Sequence, residues 1–365
     1  MTRIVICGVA GHNRGDDAIA MALAEGILAR KPQASLQIAM LQRGSIPETS
    51  RIKTFVARRG RPQGLLNLFL NIARSDLVIL GGGSLIQDKF GGDRIRGVLG
   101  YAWLVSALAA LLRKPLVTAP LGVDSLGSAR AIAVSQEILR RCAIIFVRDN
   151  RSLENARAYG GTLVASPRRV CDPAFALSEK PRGPVTDSAP IVLAPAFEGE
   201  FDALVADIFA RTAEAARART GRRVVIVAMD DRAEEDAGKI AMILDRIDPR
   251  IREFVDLATP ADLPATLDLL RGSAGIIAMR LHALILGYGF VPLACLSRTT
   301  KTEAFMEDYA VSGAVISPQA EPSVLAQGLA EAIASWPYRD AQRAIRSQRL
   351  EELGGYFDAI LLKLR

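Results

Sequence analysis

The chain has 365 residues, a formal charge of +7 at pH 7, and a composition that is 50% hydrophobic, 23% charged and 5% aromatic. This length suggests two domains, and this balanced composition excludes a disordered chain, collagen and a coiled coil. The four cysteines lie far apart and form no CxxC pair, which excludes a disulfide scaffold and predicts reduced, buried thiols in a cytoplasmic protein.

Positive charge is concentrated in the first half, because residues 1–180 carry a net charge of +12 and the remainder carries −5. This asymmetry favours an anionic partner for the first half: a phosphorylated substrate, anionic lipid headgroups or nucleic acid. Nucleic acid is the weakest of the three, since no aromatic side chains interleave with the basic ones. We expect no export signal, because the first residues pass straight into a strand-like apolar run. The apolar stretch 98–112 is too short to span a bilayer and lacks a polar face, which favours a packed helix over a membrane-surface one.

Short β-branched runs alternate with helical patterns along the whole chain, which predicts an α/β fold with doubly wound parallel sheets. We expect two Rossmann-like domains, at residues 1–178 and 191–337, that face a cleft. A Pro- and Gly-containing linker at 179–190 joins them, and a C-terminal helix at 338–365 packs back across either domain. The predicted strands are 4–7, 36–40, 77–80, 116–119, 144–147, 191–194, 224–229, 276–279 and 292–296, and helices are predicted at 202–219, 234–246 and 322–334.

Ligands of open parallel sheets sit outside the carboxyl ends of the strands, so the loops there carry the functional predictions. The first such loop has glycines at positions 8, 11 and 15, a spacing that matches neither the dinucleotide fingerprint nor a P-loop. Two interpretations of Asp16 stay open: it is a functional carboxylate, or it is the N-cap of a helix that begins near Ala18.

The second loop, Gly81-Gly82-Gly83-Ser84, follows a strand. Three consecutive glycines allow positive φ angles and close backbone approach, which favours a cradle for phosphate or sugar over a simple tight turn. The third loop begins at Arg148, whose guanidinium matches the geometry of a carboxylate or phosphate. The alternative for Arg148 is a surface pair with Asp149 that caps the next helix.

The chain has only two histidines, His12 and His282, and both fall in predicted strand-to-helix loops. Histidine transfers protons near neutral pH, and Arg280 stands two residues before His282, where it could bind the anion being processed. Lys301 follows the next predicted strand, so Arg148, Arg280 and Lys301 could converge on a small, strongly anionic substrate. The absence of HExxH, GxSxG and clustered Cys/His patterns argues against a metalloprotease, a serine hydrolase and a zinc site.

Taken in order, these segments resemble the polysaccharide pyruvyl transferase family over residues 4–309. The resemblance rests on six stretches at successive strand ends: Asn13-Arg14-Gly15-Asp16-Asp17-Ala18-Ile19, Gly81-Gly82-Gly83-Ser84-Leu85-Ile86-Gln87-Asp88, Val147-Arg148-Asp149, Cys171-Asp172-Pro173-Ala174-Phe175, Arg280-Leu281-His282-Ala283 and Lys301. It implies a GT-B-like fold, phosphoenolpyruvate (PEP) as the donor substrate, and a bacterial surface polysaccharide or its lipid-linked precursor as the acceptor. It implies no metal and no cofactor.

The resemblance also implies roles for individual residues. His282 is expected to protonate the PEP methylene, and Arg280, Arg148 and Lys301 to hold its carboxylate and phosphate. Gly82, Gly83 and Ser84 are expected to border PEP or the acceptor, and Asp16 to orient an acceptor hydroxyl or act as its base. The expected acceptor contacts are Asn13, Asp16, Asp17, Gln87 and Asp88.

Two departures from the family pattern bear on these roles. The first loop reads His12-Asn13-Arg14-Gly15-Asp16-Asp17 where the family has a Gly/Asn-rich loop ending in Gly-Asp-Glu, and Arg298 stands near a position where many members carry an aromatic. Two other functions stay open: a nucleotide-sugar glycosyltransferase of similar architecture, and a non-catalytic protein that binds a glycan precursor. Homo-oligomer formation and peripheral association with the inner face of the membrane are also left open.

Overall fold

The computed structural model describes residues 1–58, 60–161, 165–178, 186–197, 199–317 and 321–364. Within it the chain forms two units, one of residues Met1–Gly11, Asp16–Ala176 and Arg349–Arg365, the other of residues His12–Gly15 and Leu177–Gln348. Residues 179–185 of the predicted linker lie outside the described residues.

The first unit is built on a five-stranded parallel sheet in the order β3-β2-β1-β4-β5, with a two-stranded parallel sheet, β6-β7, beside it. Successive strands are added on one side of β1 up to β3, and on its other side from β4 onward. The position between β1 and β4 is therefore the topological switch point, where ligands bind in such sheets. Its elements are β1 (Arg3–Ala10), α1 (Arg14–Arg30, whose first two residues group with the second unit), β2 (Ser35–Met40), β3 (Ile52–Val56), α2 (Pro62–Ala73), β4 (Leu77–Leu80), α3 (Gly97–Leu111), β5 (Leu116–Thr118), α4 (Ala129–Arg140), β6 (Phe146–Val147), α5 (Asn150–Gly160), β7 (Arg168–Arg169) and a 3₁₀ helix (Pro173–Leu177).

The predicted strand at 144–147 does not extend the main sheet by a continuous ladder. The hydroxyl of Thr118 lies between β5 and β6, where it accepts from the backbone N–H of Phe146 at 2.5 Å and donates to the Phe146 carbonyl at 2.8 Å. Isolated bridges, such as Val117 with Ile144, and backbone hydrogen bonds, such as that from the Thr118 N–H to the Ile144 carbonyl at 3.1 Å, connect the two segments. The Thr118 side chain therefore supplements an interrupted backbone pairing at this edge.

Helix α3 confirms the predicted packed helix, since Leu99, Ala102 and Val105 are fully buried in the core of the first unit. No helix in the described part of the chain combines the length and apolar character that a bilayer crossing requires.

The second unit contains a six-stranded parallel sheet in the order β10-β9-β8-β11-β12-β13, with its switch point between β8 and β11. Its elements are β8 (Ile191–Ala194), α6 (Asp202–Thr220), β9 (Val224–Val227), α7 (Asp236–Lys239), α8 (Ala241–Leu244), α9 (Pro249–Arg252), β10 (Val255–Ala258), α10 (Leu263–Arg271), β11 (Gly275–Ala278), α11 (Leu281–Gly287), β12 (Leu293–Ser297), α12 (Thr300–Asp308), β13 (Ser312–Val315), α13 (Pro322–Ser335) and α14 (Arg339–Leu361, which from Arg349 onward groups with the first unit).

The helices predicted at 202–219 and 322–334 are confirmed by α6 and α13, whereas the single helix predicted at 234–246 is wrong. That stretch forms the short helices α7 and α8, because its start is tied to the end of β9. The Asp236 carboxylate accepts from the backbone N–H of Met229 at 3.2 Å, and the Ala237 N–H donates to the Asp230 carbonyl at 3.1 Å. These contacts hold the segment against the sheet edge instead of letting one long helix form.

Candidate active site

The glycine loop, Gly81–Ser84, follows β4 at the switch point of the first unit. Gly82 and Gly83 have φ angles of +116° and +66°, values that side chains rarely adopt. A methyl group on Gly81 would lie 2.2 Å from the Cβ of Ala119, so the backbone here passes tightly over the neighbouring strand end. The three glycines therefore build a loop that larger residues could not form.

Arg148 lies against the glycine loop, although the two were predicted from separate segments. Its side chain is buried, and Nη2 donates to Oγ of Ser84 at 2.8 Å. Nε donates to Asp149 at 3.4 Å, and Nη1 lies 3.6 Å from Oδ2 of Asp172. A methyl group on Gly122 would lie 2.7 Å from Nη2 of Arg148, so that glycine leaves room for the guanidinium. The arrangement places a fixed cation beside the loop.

Asp16 is not the N-cap of helix α1, so that prediction is wrong. The helix begins at Arg14 rather than near Ala18, and the Asn13 side chain preceding it accepts from the backbone N–H of Gly15 at 2.8 Å. Asp16 therefore lies inside the first turn. Its Oδ1 would be 2.4 Å from a methyl group on Gly83, so the carboxylate lies directly over the glycine loop.

Three other predicted acceptor contacts serve the fold in this structure. Asp17 is fully buried, and its Oδ1 accepts from the backbone N–H of Gly11 at 2.7 Å. Gln87 donates to the Ser84 carbonyl at 2.6 Å, and Asp88 accepts from the N–H of Gly127 at 2.8 Å. Gln87 and Asp88 are half-buried, whereas Asp17 is fully buried.

In the second unit, Arg280 follows β11 at the switch point and is held by Asp236. Nε and Nη2 of Arg280 donate to the two carboxylate oxygens at 2.8 and 2.5 Å. Burial raises the pKa of Asp236, and the charge and hydrogen bonds of Arg280 oppose that rise. The bidentate pair fixes the plane of the guanidinium, and Glu235 lies 3.8 Å from Nη2.

His282, the second residue of α11, is 8% exposed. Gly15 lies against its ring: a methyl group on Gly15 would be 2.1 Å from Nδ1 and 2.9 Å from Cβ of His282. The segment His12–Gly15 therefore forms part of the surroundings of this imidazole within the second unit.

Two aspartates at the end of β9 bind basic side chains, and neither was predicted from the sequence. Asp230 receives two hydrogen bonds from Arg232, at 2.8 and 2.7 Å. Burial raises the pKa of Asp230, but the hydrogen bonds from Arg232 outweigh it and hold the pKa below its ordinary value. Asp231 contacts Nδ1 of His12 at 2.9 Å and Nη2 of Arg14 at 3.1 Å.

Lys301 lies in the first turn of α12 and is half-buried. It follows β12, the strand that pairs with β11, so Lys301 and Arg280 come from neighbouring strand ends of the same sheet. Arg298 lies over the ring of Phe201, with 5.5 Å between its guanidinium carbon and the ring centroid. Arg148 belongs to the first unit, and the convergence of all three cations stays a prediction.

All four cysteines are free and buried, as predicted, and burial raises the pKa of Cys7, Cys142 and Cys295 to about 12. Within the described ranges, no three histidine, cysteine, aspartate or glutamate side chains lie close enough together to hold a metal ion.

Comparisons with known proteins agree with this layout. The model of the family described as polysaccharide pyruvyl transferase matches residues 13–291. No curated protein matches the chain. Among solved structures, a UDP-GlcNAc 2-epimerase from Neisseria meningitidis bound to UDP-GlcNAc has a TM-score of 0.56 at 14% identity, covering 97% of this chain and 99% of that one.

Two further structures show the same likeness. A UGT transferase from Siraitia grosvenorii in complex with UDP has a TM-score of 0.55 at 13% identity, covering 99% of this chain and 100% of that one. An α,α-trehalose 6-phosphate synthase from Burkholderia multivorans has a TM-score of 0.52 at 11% identity, covering 100% and 98%. These similarities establish a GT-B-like fold with two Rossmann-like domains.

Proposed function

The chain belongs to the polysaccharide pyruvyl transferase family, and from that premise we propose that it transfers the pyruvyl group of PEP to two hydroxyls of a sugar. The product is a pyruvate ketal, and free phosphate is released. The acceptor is a surface polysaccharide or its lipid-linked precursor.

The observation that carries this proposal is the pairing of a fixed arginine with a histidine at one strand end. Arg280 is oriented by the buried Asp236, and His282 stands two residues further on, in the first turn of the next helix. PEP has a carboxylate and a phosphate on adjacent groups, and guanidinium recognises both. A proton donor beside such an anion site fits the enol chemistry of PEP.

In the proposed reaction, His282 donates a proton to the methylene carbon of PEP, which becomes a methyl group and leaves C2 electron-deficient. One acceptor hydroxyl attacks C2 and passes its proton to a general base, from which solvent carries it back to His282 for the next turnover. The second hydroxyl then forms the other C2–O bond as the bond from C2 to the phosphate oxygen breaks, and its proton leaves with the phosphate. Arg280 and Lys301 stabilise the charge that develops on the phosphate.

The first unit contributes binding groups to this proposal. Arg148, held against Ser84, offers a cation beside the glycine loop of Gly82 and Gly83. Asp16, which lies over that loop, is proposed to orient an acceptor hydroxyl. The other proposed acceptor contacts each also support the backbone around them: Asn13, Asp17, Gln87 and Asp88.

A nucleotide-sugar glycosyltransferase is the second candidate, because two of the similar structures contain UDP or UDP-GlcNAc. Calorimetric titration of the protein with PEP, UDP, GDP and nucleotide sugars, without added metal, separates the two. Selective binding of PEP supports the pyruvyl transferase. Phosphate release from PEP in the presence of sugars would then be measured to find the acceptor. Selective binding of a nucleotide supports the glycosyltransferase, and PEP binding without phosphate release favours a non-catalytic binding protein.

Arg280→Ala is expected to raise the Kd for PEP by at least about tenfold, because a charge-assisted hydrogen bond contributes about 1.5–3 kcal/mol. Arg250→Ala is the matched control, since its side chain is 87% exposed in the same unit and pairs only with Asp248 among the described residues. Calorimetry measures both. An unchanged Kd in Arg280→Ala would assign that arginine to structure rather than to donor binding.

A further inference from the structure

Helix α2 presents an apolar face to solvent. None of its twelve residues is charged, and Leu65, Leu66 and Phe69 are 41%, 49% and 39% exposed. Its opposite side already supplies the core with Leu68 and Ile72. A surface helix of a soluble domain is normally polar on the side away from the core, so this α2 outer face, defined as Leu65, Leu66 and Phe69, requires a partner.

The loop before α3 also exposes apolar side chains. Phe90 is 61% exposed and Ile95 is 78% exposed. Helices α2 and α3 pack against each other, and each follows a strand of the same parallel sheet, so both begin at its carboxyl edge. The loop before α3 and the start of α2 therefore lie at the same edge of this sheet.

Basic side chains border this surface at both helix starts. Arg58 and Arg61 precede α2 and are exposed, and Arg96 precedes α3 with 78% of its side chain exposed. The nearby Asp93 accepts from the backbone N–H groups of Ile95 and Arg96, at 2.8 and 2.7 Å, and lies 4.0 Å from Nε of Arg96. The surface thus combines exposed apolar groups with three arginines and one neighbouring carboxylate, on the half of the chain that carries +12.

We propose that the α2 outer face, with Phe90 and Ile95, docks on an anionic lipid bilayer. Apolar side chains would enter the boundary between headgroups and acyl chains, and the arginines would contact lipid phosphates. This proposal does not depend on the chemistry of the active site. It would bring the chain to the surface on which a lipid-linked acceptor resides.

Co-sedimentation with phosphatidylglycerol vesicles, compared with phosphatidylcholine vesicles, tests the proposal. The wild type is expected to bind the anionic vesicles and to be released by high salt. The double variant Leu66→Ser/Phe69→Ser is expected to bind at least about tenfold less, as is Arg61→Ser/Arg96→Ser. Val324→Ser, at a 67% exposed position on α13, is the matched control and should bind like the wild type.

Several outcomes would overturn the proposal. The proposal is wrong if the wild type stays in the supernatant or binds both vesicle types equally. It is also wrong if the double variants bind as well as the wild type. A wild-type dimer that dissociates in Leu66→Ser/Phe69→Ser would show instead that a second copy of the chain covers this face. Unchanged PEP binding and unchanged thermal melting in the variants keep these outcomes separate from loss of folding.

A second inference comes from His12, whose ring is oriented by Asp231. The Asp231 carboxylate is itself held by Arg14, which is 2% exposed and also donates to the carbonyls of Pro260 and Ala261 at 2.9 and 3.1 Å. The backbone N–H of Arg14 donates to the Met229 carbonyl at 2.8 Å. His12 remains 23% exposed. An aspartate at Nδ1 selects the tautomer with hydrogen on that nitrogen and leaves Nε2 to accept a proton.

We infer that His12 is the general base for the acceptor hydroxyl, an inference that rests on the proposed function. As the acceptor oxygen bonds to C2 of PEP, its O–H bond breaks and the proton passes to Nε2 of His12. Asp231 follows β9 and His282 follows β11, so both histidines lie at the carboxyl edge of the same sheet. Gly15, three residues after His12, contacts the ring of His282.

The test measures PEP binding and phosphate release with p-nitrophenyl hexopyranosides as acceptors. His12→Gln is expected to lower phosphate release about 100-fold with an unchanged Kd for PEP, and added imidazole should restore part of the loss in His12→Ala. Asp231→Asn should also lower it, because an asparagine amide no longer selects the tautomer that leaves Nε2 free to accept a proton. Long-range ¹H–¹⁵N spectra, which contain only two histidines, should show hydrogen on Nδ1 of His12.

Full phosphate release by His12→Gln, or hydrogen on Nε2 of His12 in the wild type, would overturn the base role alone. Weakened PEP binding in His12→Gln would assign the ring to the donor instead. A wild type that binds PEP and releases no phosphate with any of these acceptors would overturn the proposed function together with the base role.

Discussion

His282→Ala is expected to lower phosphate release from PEP about 1000-fold, because general acid catalysis contributes about 100- to 10,000-fold. The Kd for PEP should stay within about twofold, since the proposed mechanism assigns the anionic groups of PEP to the arginines and the lysine. Single-turnover phosphate release and calorimetry measure the two quantities.

His282→Asn is the companion variant, because asparagine keeps part of the shape and polarity of the side chain without a titratable proton. It should be as inactive as the alanine variant, with a melting temperature close to that of the wild type. Turnover at the wild-type rate in either variant would remove His282 from the mechanism.

Gly15→Ala is expected to lower turnover by at least about 100-fold, although it removes no chemical group. The added methyl would lie 2.1 Å from Nδ1 and 2.4 Å from Cγ of His282, so the imidazole must move by more than a small adjustment. A displacement of about 1 Å in a catalytic group costs about 100-fold in rate. The effect should appear in kcat, with the Kd for PEP little changed.

Gly328→Ala is the matched control, because a methyl group there would meet nothing within 4 Å and the residue lies in helix α13. It should leave turnover unchanged and raise stability by up to about 1 kcal/mol, the helix preference of alanine over glycine. Equal turnover in Gly15→Ala and Gly328→Ala would mean that the position of the imidazole is not critical.

The buried strands, including β5 at a sheet edge, could be predicted from the sequence, whereas the edge strands with exposed residues could not. Central strands such as β4 and β11 are buried on both faces, so they read as continuous apolar runs. Strands β3, β10 and β13 lie at sheet edges and include exposed residues, and each escaped prediction. The two-residue strand β7 is too short to give any pattern.

The site loops could be predicted for a related reason. Glycines, arginines and histidines directly after apolar runs fall at the carboxyl edge of a parallel sheet, where ligands bind. The sequence did not predict the carboxylates that hold Arg280 and His12 in place. Asp236 lies 44 residues from Arg280 in the chain, and Asp231 lies 219 residues from His12, so only the fold brings each pair together.

The tetrapeptide His12–Gly15 groups with the second unit while the chain on either side of it groups with the first. A gene fragment that encodes residues 177–348 alone would carry Arg280, His282 and Asp231 but not the tetrapeptide that contacts two of them. Recombination that exchanges halves between relatives would therefore separate His282 from Gly15 and Asp231 from His12. Chimaeras should keep their activity only when the first loop and the second unit come from the same parent.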